Sequence, residues 1–167
     1  MISRKYLKPK YLISAITIFI FLLLTSYQSK PNESVITSSE NNLFQVARVI
    51  DGDTVELSDG RKVRYIGIDA PESTKKTCFG EESTNKNKEL VEGKKARLEK
   101  DVSDTDRYGR LLRYVYVEDI FVNEYLVREG YARSSTYPPD VKFQNQFKEA
   151  EKEARENSKG LWNSCQK

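Results

Sequence analysis

Residues 49–72 read V-I-D-G-D-T-V-E-L, then S-D-G-R, then K-V-R-Y-I-G-I-D-A-P-E. Two β-prone runs flank Asp59-Gly60, a dipeptide suited to the φ > 0 backbone of a tight hairpin turn. A turn centred between residues 59 and 60 sets Asp53 opposite Ile66. Asp69 then lies roughly 10 Å further along an extended arm, a gap that a bend or bulge shortens. Asp51 is close by, Glu72 follows Ala70-Pro71, and Arg64 sits among Val63, Tyr65, Ile66 and Ile68. Carboxylates gathered at one end of a hairpin, with an arginine inside an apolar strand, are an arrangement for a site. The alternative for D-G-D-T is a plain turn whose Asp side chains cap backbone amides.

Working outward, residues 44–50 form a first strand, 54–57 and 62–68 the hairpin, and 80–91 a helix stopped by Gly93. Residues 94–102 alternate as a fourth strand and 111–117 form a fifth. Val122, Tyr125, Leu126 and Glu129 fall on one face of a short helix ending at Gly130. A last helix over 141–158 keeps Phe143, Phe147, Ala150 and Ala154 at helical spacing, and Gly160-Leu161-Trp162 closes it. Five strands with about three helices predict a mainly β chain of β+α type, a small closed barrel of the oligonucleotide/oligosaccharide-binding (OB) fold.

The 167 residues allow one domain plus appendages. Arg4, Lys5, Lys8 and Lys10 precede an apolar run from Tyr11, and no charge occurs again before Lys30. Its length falls between the apolar core of a signal peptide, about 7–15 residues, and the roughly 20 of a spanning helix. Residues 1–27 are therefore read as a signal peptide or an uncleaved signal anchor, with membrane anchoring through 11–27 in the second case. Residues 28–42, rich in Ser, Thr and Asn, read as a flexible linker, and 43–167 as the folded domain. Basic residues ahead of the apolar run place that domain outside the cytoplasm, secreted or anchored. The whole chain carries +3, but residues 28–167 carry 24 Lys+Arg against 25 Asp+Glu, a net of −1. A polyanion would have to be held by local charge or a metal ion.

Histidine is absent, which excludes every mechanism that uses imidazole as base or ligand. The two cysteines, Cys78 and Cys165, read in an exported protein as one disulfide tying the loop after Glu72 to the C-terminal tail, with two free thiols as the alternative.

The stretch V-I-D-G-D-T, the later R-Y-I-G-I-D-A-P-E and the segment Asp106-Arg107-Tyr108-Gly109-Arg110 together resemble the staphylococcal nuclease (thermonuclease) family. The resemblance runs from about residue 44 to 162. It implies an OB barrel and a monomeric, Ca²⁺-dependent endonuclease acting on DNA and RNA with little sequence preference and leaving 3′-phosphates. It implies Ca²⁺ held by Asp53, Asp69 and the main-chain carbonyl of Ala70, where the family often has Thr. Arg64 and Arg110 become a phosphate clamp, Glu72 the general base acting through water, and Tyr108 and Tyr137 contacts to nucleotide. The residues suit those tasks: a guanidinium matches two phosphoryl oxygens in a planar fork, and carboxylates suit a hard cation. Each has a structural alternative: Arg64 ion-paired internally with Glu72 or Asp69, Arg110 an exposed turn arginine, the tyrosines packed. The loops over 73–79 and 134–139 are shorter than the family's. The rival reading is a catalytically silent barrel that binds nucleic acid or a protein at the cell surface.

Overall fold

A computed structural model describes residues 43–74 and 77–165. The expected signal or anchor segment and the linker lie outside the described residues. Among those described, no helix is long and apolar enough to cross a membrane.

The barrel is built from β1 (Leu43–Asp51), β2 (Thr54–Leu57), β3 (Lys62–Tyr65), β5 (Lys95–Glu99) and β6 (Leu111–Val117). Their order is β3-β2-β1-β5-β6, and β6 returns to pair with β3, closing the sheet on itself. All pairings are antiparallel except β3–β6, where Val63 lies beside Leu111 and Arg64 beside Leu112 in parallel. Closure leaves none of the five strands with a free edge. This is a mixed five-stranded barrel consistent with the OB type. Two-residue strands β4 (Ile68–Asp69) and β8 (Arg133–Ser134) pair outside it, and β7 (Ile120–Phe121) folds back on β6.

Four helices accompany the barrel among the described residues: α1 (Gly80–Val91), α2 (Val122–Arg128), α3 (Gln144–Glu156) and the single turn α4 (Leu161–Ser164). Three of them sit where the apolar spacing predicts. The fourth forms at Leu161-Trp162, where the sequence gives only an end to the preceding helix. Leu161 is buried there, and the α4 amide Leu161 N–H donates to the Gly130 carbonyl at 2.9 Å. Helix α3 buries Phe147, Ala150 and Ala154, and Phe147 joins Tyr114, Phe121 and Phe143 in an aromatic cluster over the barrel.

Two features of the central hairpin differ from expectation. The register pairs Thr54 with Arg64 and Val55 with Val63, one residue off a turn centred between 59 and 60. The loop is the three-residue 58–60, with only Gly60 in the left-handed region (φ 86°) and Leu57 N–H donating to Arg61 C=O. Asp59 prefers to accept the Arg61 N–H and side chain, which fixes a type of turn ending in a glycine bulge. Asp53 thus faces Tyr65, whose N–H donates to the Asp53 carbonyl at 2.9 Å. The second arm also does not run unbroken to Ile68. It ends at Tyr65, turns through Gly67 (φ 79°), and resumes as β4 against β8. A Cβ on Gly67 would lie 2.4 Å from the Phe147 ring, so only glycine allows this turn beneath α3.

Candidate active site

The break at Gly67 brings Asp69 back toward Asp53, and Arg64 spans the two. Its Nε lies 3.1 Å from Asp53 Oδ1, its Nη2 donates to Asp69 Oδ1 at 3.2 Å, and its Nη1 donates to the Tyr65 carbonyl at 2.6 Å. The internal ion pair expected for Arg64 therefore exists, with Asp53 as well as Asp69. Asp53 is 5 % exposed, while the Asp69 side chain is 63 % exposed. Asp53 Oδ2 accepts the Ala70 N–H at 2.8 Å and its Oδ1 accepts the Thr54 hydroxyl at 3.0 Å. Asp51 Oδ1 in turn accepts the Asp53 N–H. The turn-capping role of the D-G-D-T carboxylates is thus present, and the same bonds aim them at Ala70.

Burial pushes the Asp53 carboxyl up to about 7; Arg64 pulls it down, and the Asp51 charge adds to the rise. A desolvated carboxylate with one guanidinium for company is a place where further positive charge is favourable. The donors expected here, Asp53, Asp69 and the Ala70 carbonyl, are all oxygens, the donor chemistry that a hard divalent cation takes. Among the described residues no group of three acidic, His or Cys side chains gathers around a metal position, so water and substrate oxygens would complete the shell.

A cleft of about 270 Å³ is lined among others by Arg64, Arg110, Asp106, Ser135 and Tyr137 over the backbone at Gly67. Asp53, Asp69 and Glu72 are not on its wall, and the two aspartates connect to it through Arg64. The two arginines reach it from neighbouring segments because β3 and β6 pair. Arg110 is not a free turn arginine. Asp106 Oδ2 accepts its Nε–H at 2.7 Å and Asp106 Oδ1 accepts its backbone N–H at 3.0 Å. Partial burial acts to raise the Asp106 pKa, but the Arg110 side chain and the Arg110 and Tyr108 N–H groups outweigh it and hold the carboxyl below its ordinary range. The bond through Nε leaves the Nη edge of Arg110 for another anion.

Tyr137 lines this cleft and is 74 % exposed, its hydroxyl accepting from Ser135 at 3.3 Å. Tyr108, 69 % exposed, does not line it; its ring lies 4.8 Å from the Arg107 guanidinium carbon and 5.6 Å from that of Arg110. Glu72 is exposed, three residues beyond Asp69. Its backbone is held firmly: the Thr77 hydroxyl donates to its carbonyl at 2.5 Å, and Gly80 packs so close that a Cβ would lie 2.7 Å from that oxygen. Cys78 and Cys165 form a disulfide with Cα atoms 5.8 Å apart, joining this loop to α4.

Sequence reasoning missed the polar groups that hold the site from behind. Asn123, fully buried, accepts the Val115 N–H and donates to the Ile66 carbonyl, both at 2.9 Å, fastening the turn between Arg64 and Asp69 to β6. Asn87 accepts from the Tyr65 hydroxyl at 3.0 Å and donates to the Asp51 carbonyl at 3.0 Å. The signal for both was an asparagine on the inward face of an amphipathic helix, a costly place for an amide without partners.

Residues 62–164 match the family model described as staphylococcal nuclease homologue. The chain is 36 % identical to a thermonuclease of Staphylococcus hyicus over 160 residues, covering 91 % of this chain and 94 % of that protein. A thermonuclease of Staphylococcus intermedius is 35 % identical, covering 90 % and 94 %. The endonuclease YncB of Bacillus subtilis is 44 % identical over 124 residues, 69 % of this chain and 59 % of that one. With the barrel, the carboxylate pair and the two arginines at the positions those matches span, this chain belongs to the staphylococcal nuclease family.

Proposed function

We propose that this protein is an exported, Ca²⁺-dependent endonuclease that hydrolyses phosphodiester bonds of DNA and RNA with little sequence preference. That it is a phosphodiester-hydrolysing nuclease follows from its family and from relatives named thermonuclease and endonuclease. The observation that carries the mechanism is the pair Arg64 and Arg110 lining one cleft, with Arg64 ion-paired to Asp53 and Asp69.

Attack on a phosphodiester adds charge to non-bridging oxygens already anionic; the open Nη edge of Arg110 receives it, and Arg64 does so by exchanging its Asp69 contact for the phosphate. Glu72 takes a proton from the attacking water as the new P–O bond forms. The 5′ P–O bond breaks, the 5′ oxygen leaves as a hydroxyl with a proton from solvent water, and the other product keeps a 3′-phosphate. Ca²⁺ held by Asp53, Asp69 and the Ala70 carbonyl would supply Lewis-acid polarisation of a phosphoryl oxygen and match the charge of the carboxylates. Tyr137 at the cleft wall gives a stacking or hydrogen-bonding surface, and Tyr108 a second one outside it. Contacts of this kind reach phosphate and ring faces, which supports slight base preference. The basic-then-apolar order of residues 1–27 supports export, with or without retention at the membrane.

The test is cleavage of single-stranded DNA and RNA by the purified protein with Ca²⁺ or with chelator, beside Glu72→Gln. Calcium-dependent cleavage by wild type, reduced by about 10²–10⁴-fold in the variant, supports the reading. A folded wild type that binds nucleic acid without cutting it would leave a binding module instead.

A further inference from the structure

A second groove, of about 280 Å³, lies on the β4–β8 side of Asp69, lined by Asp69, Pro71, Thr77, Arg133, Leu161 and the Cys78–Cys165 disulfide. Asp69 and Arg133 are direct partners in that ladder. Their side chains therefore leave the same face, with Cβ atoms about 5 Å apart. Arg133 is exposed, and among the described residues it stands in no ion pair. Every other described arginine except Arg107 is tied to a carboxylate. Its guanidinium carbon lies 4.4 Å from the Trp162 ring centroid, on a ring that Arg155 also meets, at 4.0 Å. Stacking fixes the guanidinium plane and leaves its N–H edge for an acceptor. A planar cation, held in place, uncommitted and beside Asp69, is what a polyanion needs from a domain with no general positive charge.

We propose that this groove continues the active site, and that Arg133 holds a backbone phosphate of the substrate strand at least one nucleotide away from the scissile bond. Leu161 and the disulfide form an apolar wall for the intervening sugar and base. The inference rests on the nuclease reading above. Because the contact is to phosphate, it adds affinity for polymer without adding sequence preference.

The experiment compares full-length wild type and Arg133→Gln, with Ca²⁺, on two substrates. One is a single-stranded oligonucleotide of about ten residues; the other is a mononucleoside carrying a single 4-nitrophenyl phosphodiester, with no neighbouring backbone phosphate. The expected result is a KM for the oligonucleotide raised about tenfold with kcat within about twofold. The salt dependence of log KM should also flatten by about 0.7 per decade, the mark of one lost phosphate contact to a single strand. Cleavage of the minimal diester should be unchanged. Arg133→Lys keeps the charge without the planar fork, so it should restore the salt slope and only part of the KM, and it carries the test if the glutamine variant does not fold. Equal losses on both substrates, or an unchanged KM and salt slope on the oligonucleotide, overturn the inference. Wild type that cleaves neither substrate overturns the nuclease reading and this inference with it.

Discussion

Replacing both cysteines, C78S/C165S, should cost this domain several kcal/mol, and the size follows from where the bond falls. Cys78 and Cys165 are 87 residues apart in the chain, so the disulfide closes most of the folded domain into one loop. In the chain-entropy account, opening a loop of that size returns about 15 cal/mol/K to the unfolded ensemble, or about 4.6 kcal/mol at 25 °C. Spread over the unfolding entropy of roughly 120 residues, this lowers Tm by about 18 °C. Urea unfolding of the two proteins by tryptophan fluorescence and circular dichroism measures it directly. The m-value adds an independent check: an uncrosslinked chain expands further on unfolding, so the variant should show the larger m. A loss under about 1 kcal/mol with equal m-values would refute the reasoning, since it would mean that the unfolded state is not constrained by this link.

The buried carboxylate gives a pH-dependent outcome. Because burial raises Asp53 to about 7 from an ordinary 3.8, the folded state binds this proton before the unfolded chain does. Its stabilisation is complete below the ordinary value and fades as pH rises through about 7. With chelator present, urea midpoints should therefore fall between about pH 4 and 7 more steeply in wild type than in Asp53→Asn, and equal slopes would count against the assignment. Asn123→Ala strands the Val115 N–H and the Ile66 carbonyl in the core and should cost about 2–4 kcal/mol in chemical denaturation. A cost below about 0.5 kcal/mol would show that these groups find other partners.

The hairpin, the barrel strands and the three longer helices were legible because each has its own period and its own stop. Helix α1 occupies the residues that its spacing and Gly93 predict. What escaped was decided by contacts between distant residues. The register of the central hairpin depended on whether Asp59 would enter the left-handed region, and its bonds to Arg61 kept it out. The early end of β3 depended on Phe147, eighty residues later, occupying the space over Gly67. At the site, Asp53, Arg64 and Asp69 could be drawn together from sequence alone because a hairpin folds them onto one end. Arg110 could be named but not oriented, since its partner Asp106 lies in a turn without periodicity. Arg133 carried no signal at all. Its stacking partner lies in α4, far along the chain, and an arginine after Ala132 in so short a strand looks like any other.

The parallel seam between β3 and β6 makes this enzyme's competence a late property of folding. Arg64 lies on one side of the seam and Arg110 at the foot of the other. A hairpin cannot supply a parallel pairing, and the entropy of bringing such separate segments together is spent before any contact rewards it. A chain still being synthesised past β3, or one whose barrel has sprung open, carries both arginines and no clamp. The two guanidinium groups line one cleft only after the last strand has shut, so on the proposed mechanism a partly made or damaged molecule lacks the means to cut the nucleic acid around it.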